Sequence, residues 1–143
     1  MVELEALGTM VVDVAPSLPV GIGPAGDRSV GAITAVTLSG ERLRATQASP
    51  AAADWLVRTG AVGVIDARVL LRTDDDALIY LQYGGRLDLS DPASGMWAYV
   101  ALTFETGDPC YAWLNKVQGV GKGRLSMSAD GSGRLDYAIA AVR

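Results

Sequence analysis

The chain of 143 residues has no histidine, one cysteine, one phenylalanine and no long apolar run. Without histidine there is no Ser-His-Asp or Cys-His catalysis, no imidazole metal ligand and no ordinary proton shuttle near neutrality. Proton chemistry must then come from Asp, Glu, Tyr, Lys or water. The single cysteine, Cys110, excludes an internal disulfide and a cysteine-cluster metal site. It also has no histidine to activate it as a nucleophile, so it reads as structural. No apolar stretch reaches the ~18 residues that a membrane-crossing helix needs. The opening MVELEALG is acidic where a secretion signal would be basic, and a cytoplasmic protein is expected.

Basic residues are few and scattered, and the net charge is −4. Nucleic-acid binding needs a clustered basic surface, so no such partner is expected. What the chain does have is 50% apolar residues, 17 glycines and 6 prolines spread along its length. That composition fits one domain, residues 1–143, of short strands and many turns around a core. Long helix-period patterns are missing.

The organising stretch is DWLVRTGAVGVIDARVLLRTDDDALIYLQYGG, Asp54 to Gly85. From Val62 to Arg72 it divides with period two, as a strand must. Gly63, Ile65, Ala67, Val69 and Leu71 share one face; Val64, Asp66, Arg68, Leu70 and Arg72 share the other. The next strand repeats this, with Ala77, Ile79, Leu81 and Tyr83 opposed to Leu78, Tyr80 and Gln82. In WAYVALTFE, Trp97, Tyr99, Ala101, Thr103 and Glu105 oppose Ala98, Val100, Leu102 and Phe104. Each strand thus pairs a purely apolar face with an aromatic and polar one.

Further strands are predicted over Leu4–Val14, Val30–Leu38, Glu41–Ala48, Val117–Ser128 and Leu135–Val142. Pro16 and Pro19 interrupt pairing, so PSLPVGIGPAGDRS is expected to be a loop or lip over an opening. It lacks the following helix and the GK[ST] element that a phosphate loop requires. Ser39-Gly40, Thr73–Asp76 and Asp130–Gly133 read as turns. The acidic run Asp74-Asp75-Asp76 lacks EF-hand ligand spacing, so no metal site is expected there or elsewhere. Asp108-Pro109 can open one helical turn through Cys110–Asn115, and Gly119, Gly121 and Gly123 permit close approach of neighbouring strands. Eight or nine strands joined by short turns predict an all-β antiparallel barrel, with room for packed side chains or one small ligand.

Several segments resemble a bacterial and fungal family of uncharacterised barrels, domain of unknown function 3237. They are ADW at Ala53–Trp55, DAR at Asp66–Arg68, LRTDD at Leu71–Asp75, ALIY at Ala77–Tyr80, FETGDP at Phe104–Pro109 and YAWLN at Tyr111–Asn115. The first strand's ending, Val11 to Pro16, which contains VDVAP, also fits. The resemblance spans nearly the whole chain and implies a compact antiparallel barrel, similar at fold level to allene oxide cyclase and dirigent-type barrels. The chain departs from the family pattern at Ala35-Val36 and Ala51-Ala52, where paired glycines are common. It departs again at Tyr99, where arginine is usual, and at Gln82-Tyr83. These departures imply an altered choice of ligand.

Two assignments of the faces compete. A soluble barrel by default turns its apolar face inward. The mixed face, however, is rich in bulky amphipathic groups, and the aliphatic face turned outward would need a partner. The second assignment is favoured here: a lumen lined by the mixed face, in a homo-oligomer, most simply a dimer. The expected catalytic groups are then Asp66, Asp54, Tyr80 and Tyr99, with Arg68, Gln82, Trp97, Trp113 and Asn115 binding ligand. A buried Asp of raised pKa replaces the absent histidine, and tyrosines hydrogen-bond a carbonyl. The expected function is a cofactor-independent cyclase, isomerase or lyase acting on an unsaturated or carbonyl-containing metabolite in specialised metabolism. The alternatives are a non-catalytic binding barrel using the same pocket, and a structural module with a packed interior.

Overall fold

The computed structural model describes all residues from Met1 to Arg143. Ten strands and one short helix follow in order: β1 (Leu4–Val14), β2 (Leu18–Gly23), β3 (Gly26–Ser39), β4 (Arg44–Gln47), β5 (Ala53–Thr59), β6 (Val62–Thr73), β7 (Leu78–Asp88), β8 (Met96–Glu105), the 3₁₀ helix η1 (Pro109–Lys116), β9 (Gly119–Met127) and β10 (Gly133–Val142). Every pairing is antiparallel, running β1-β10-β9-β8-β7-β6-β4-β3, and β1 pairs β3 to close the ring. β4 and β5 lie one after the other in the slot between β3 and β6. β2 continues the line of β1 along the edge of β3. The result is the expected barrel, a closed ring of eight strand positions in which β4 and β5 share one position and β2 extends that of β1.

The segment predicted as a loop is in part a strand. Pro16 ends β1, and β2 then pairs with β3 from Leu18↔Val30 to Gly23↔Gly26, with an irregularity between Pro19 and Gly21. β2 pairs with no other strand, and an edge strand of this kind is where a proline is tolerated. The predicted turns form. Asp76 takes a left-handed φ of 72° in the acidic turn, and Gly131 one of 88° in the last hairpin. The glycines of β9 permit close approach, as expected. A Cβ on Gly123 would lie 2.5 Å from the ring of Tyr137, which rests across the bare backbone there.

The faces are the reverse of the favoured expectation. Ile65, Ala67, Val69 and Leu71 of β6, Ile79, Leu81 and Tyr83 of β7, and Ala98, Val100, Leu102 and Phe104 of β8 are all buried in one core. Asp66, Arg68, Gln82 and Tyr99 point outward and are exposed. The reason is energetic. Burying an aliphatic side chain gains about 1.5–3 kcal/mol, whereas enclosing Asp66 and Arg68 without close partners costs several kcal/mol per ion. An eight-stranded ring is just wide enough to be filled by such side chains. With the oily faces of β6, β7 and β8 inside, they no longer call for a partner subunit to cover them.

Helix η1 closes one end. Asp108 caps it by accepting from the Cys110 N–H at 2.8 Å, and Leu114 enters the core with no exposed surface. Tyr111 ties the helix to the acidic turn by donating to Asp75 at 2.7 Å. Asp75 also accepts from Thr73 at 2.7 Å, and these two hydroxyls hold its carboxyl below the usual range. The acidic turn is therefore a fastening for the cap.

Candidate functional site

The opposite end of the barrel is open. There the interior is not filled, and a cavity of about 400 Å³ enters from the rim formed by β2, β3 and the last hairpin. Its wall is mainly aliphatic, with Leu56, Ile65, Leu87, Leu125 and Leu135 facing in. Ser17, just before β2, and Pro19, Asp27 and Ser29 of the β2–β3 hairpin lie on the rim, so the stretch expected to be a lip does border the opening.

Asp27 stands at the rim, and a second carboxylate, Asp54 on β5, is set among the aliphatic walls. Its position follows from register, because Asp54 lies opposite the inward-facing Ala67 of β6 and opposite Gly31 of β3. Neither neighbour has a side chain large enough to cover it. The backbone N–H of Asp66 donates to Asp54 Oδ1 at 3.0 Å, fixing the carboxyl's direction. Burial pushes the Asp54 pKa up to about 6, against the lowering effect of that hydrogen bond, and the charge of Asp66 adds a smaller upward push. Near neutrality Asp54 can therefore both hold and release a proton.

Two phenols lie within the field of this carboxyl. Tyr83 and Tyr137 pack edge to face, with ring centroids 6.1 Å apart and planes at 72°. Burial first, then nearby charge including that of Asp54, raises both phenols above their ordinary pKa, so both remain protonated donors. The Tyr137 hydroxyl is buried and has no hydrogen-bond partner. An orphaned buried donor of this kind costs about 1–3 kcal/mol. Tyr137→Phe is accordingly expected to be at least as stable as the parent in urea unfolding. A loss above about 1 kcal/mol would show that the hydroxyl has a partner in the folded protein.

Of the residues expected from sequence, the lumen holds Asp54 alone. Asp66 contributes its main-chain N–H, and its side chain faces solvent because it is one step out of phase with Ala67. Arg68, Gln82 and Tyr99 share its exterior face. Tyr80 and Asn115 do meet, but outside, along an open groove with Leu70, Leu78 and Glu105. There Tyr80 donates to Gln82 at 3.2 Å, while Asn115 clamps the main chain of Thr106 through bonds of 2.8 and 2.9 Å. Trp97 lies under Lys122, 4.7 Å from the ring centre. Trp113 packs against the core's edge with Arg42 at 3.7 Å over its ring. These are surface and fastening roles. No group of three or more His, Cys, Asp or Glu residues could hold a metal, and no helix is long and apolar enough to cross a membrane.

Sequence reasoning missed Tyr83 and Tyr137. Their signal was present: a phenol placed in phase with Ile79 and Leu81, and another in phase with Leu135 and Ile139, each carries a polar atom onto an apolar face.

The comparisons agree with this architecture. A crystal structure of a β-barrel-like protein from Acinetobacter baumannii AYE is 30% identical, with a TM-score of 0.84, and the match covers 100% of this chain and 97% of that one. A conserved protein of unknown function from Rhodopseudomonas palustris is 23% identical at a TM-score of 0.82, covering 100% of this chain and 99% of that one. An enzyme from Penicillium herquei shares the fold at 20% identity and a TM-score of 0.72, covering 99% of this chain and 95% of that one. No curated protein matches the sequence. The family profile described as "Protein of unknown function (DUF3237)" matches residues 2–142, and the chain belongs to that family of small β-barrel proteins.

Proposed function

We propose that this barrel is a cofactor-independent enzyme for a small unsaturated or carbonyl-containing metabolite, with Asp54 as its acid or base. The observation that carries the reading is a carboxylate set among the aliphatic walls of the cavity, apart from the charged Asp27 and Arg58 at its rim, with its pKa raised to about 6. A group so placed can protonate a carbonyl or alkene, or remove a proton beside a carbonyl, without histidine. Isomerisation, cyclisation and elimination all need this and little else beyond orientation by the walls. Tyr83 and Tyr137 are buried outside the cavity's lining and stay protonated, so they add no negative charge to the surroundings of Asp54. That the similar Penicillium herquei protein is an enzyme adds a modest argument in the same direction.

A non-catalytic binding protein would use the same cavity. A purely structural module is the less economical reading, because the open half of the barrel leaves about 400 Å³ unfilled. The deciding experiment incubates the protein with a crude metabolite extract and follows depletion by mass spectrometry. Asp54→Asn is expected to retain the bound metabolite and lose about 10²–10⁴-fold in turnover, while Asp66→Asn, on the outside, leaves turnover unchanged. A rate falling as pH rises through about 6 would identify Asp54 as the acid, and a rising one as the base. Full turnover in Asp54→Asn would remove the acid-base reading, and binding without conversion by the parent would leave a binding protein.

A further inference from the structure

Strand β5 carries three inward positions in succession, Asp54, Leu56 and Arg58, which are a deep acid, an apolar spacer and a cation at the rim. Arg58 Nε donates to the Gly60 carbonyl at 2.8 Å, anchoring the guanidinium at the β5–β6 turn. The register explains the room around it: its neighbour on β6 is Gly63, without a side chain, and its neighbour on β3 is Asp27. Arg58 takes part in none of the three ion pairs of the protein, not even with Asp27. No lysine or second arginine lines the cavity.

We propose that Arg58 is a specificity residue for the carboxylate end of an amphiphilic ligand whose uncharged, oxygen-bearing end reaches Asp54. The inference rests on the lumen being the binding site, as argued above, and names the class of molecule that would occupy it. The depth of the cavity offers the Asp54 carboxyl, which donates a hydrogen bond when protonated, and aliphatic walls, which suit a carbonyl or ether oxygen on an apolar body and reject a charge. The rim offers a solvated guanidinium that can take a carboxylate in two parallel hydrogen bonds. Asp54 and Arg58 are four residues apart on one face, so their Cα atoms lie about 13 Å apart. A ligand spanning them places roughly 10 Å between its anionic group and its reacting oxygen. Asp27 opposes the carboxylate by charge and therefore sets a limit on affinity that its removal would lift.

Three probes of equal length separate the possibilities: oxodecanoate with its ketone beside the terminal methyl, its methyl ester, and the corresponding amino ketone. Binding is measured by calorimetry at low salt near pH 6, where about half of Asp54 is protonated. The acid is expected to bind about tenfold more tightly than the ester. Arg58→Gln should erase that preference without changing ester affinity, and Asp27→Asn should strengthen acid binding several-fold. Both side chains are exposed, and melting without probe will show that both variants fold. Equal affinity for acid and ester, preference for the amine, or equal weakening of acid and ester in Arg58→Gln would overturn the proposal. If the ester binds and Leu56→Trp expels it, while the acid gains nothing over it, the lumen reading survives and the rim assignment falls. Failure of every probe to bind counts against both.

Discussion

Asp54→Asn will stabilise the folded protein above pH 6 and change little at pH 4. The parent carboxyl titrates near 3.8 when solvated and near 6 in the barrel, because burial disfavours its charged form. The folded state therefore holds this proton more tightly than the unfolded chain, so stability falls as pH rises through the interval and the loss is complete above it. A gap of roughly two pH units corresponds to about 3 kcal/mol. Asparagine removes the ionisation and keeps the oxygen that accepts from the Asp66 N–H. Urea unfolding of parent and variant at pH 4 and pH 8 measures the difference. The variant should gain up to about 3 kcal/mol at the higher pH and nothing at the lower one. A gain of the same size at both would mean that the effect is not ionisation. Together with lost turnover, such a gain is the signature of a group kept for chemistry at the expense of stability.

Gly85→Ala is expected to destabilise more than any surface change. A Cβ at this position would lie 1.8 Å from the carbonyl oxygen of Tyr99 and 2.8 Å from the Cα of Val100. Both obstacles are backbone of β8, directly paired with β7, so neither can swing aside as a side chain would. Gly85 thus lets β7 press against β8, and Gly84 lets it approach the Ile65 carbonyl of β6 on the other side, a use of glycine typical of barrel corners. The cost should be about 3 kcal/mol or more, a fall of roughly 10 °C in Tm for a domain of this size. Gly107→Ala, where no atom lies within 4 Å of the added methyl, is the control and should melt with the parent. Equal melting of Gly85→Ala and Gly107→Ala would show that the two strands can separate there without cost.

The candidate site was only partly legible. Asp54 could be named as a candidate acid, because a carboxylate next to a strand in a chain without histidine is the natural choice. Its neighbours were chosen wrongly, since Asp66, Tyr80 and Tyr99 were grouped by their shared polar face and that face turned out. Tyr83 and Tyr137 come from β7 and β10, which are not paired with each other, and they meet only across the interior. No spacing along one strand announces such a meeting.

Alternation alone determined that β6, β7 and β8 are strands with two unlike faces, and the turn at Thr73–Asp76 determined that β6 and β7 pair as neighbours. These are local properties, set by side-chain period and backbone preference within a few residues. Which face looks inward, and which acid goes with it, was decided only when the ring closed. A period of two is symmetric between the sides of a strand, and the enclosed volume of an eight-membered ring breaks that symmetry by admitting aliphatic groups and expelling Asp66 and Arg68. Asp54 stays inside because its register on β5 matches Ala67, and it carries a raised pKa as the consequence.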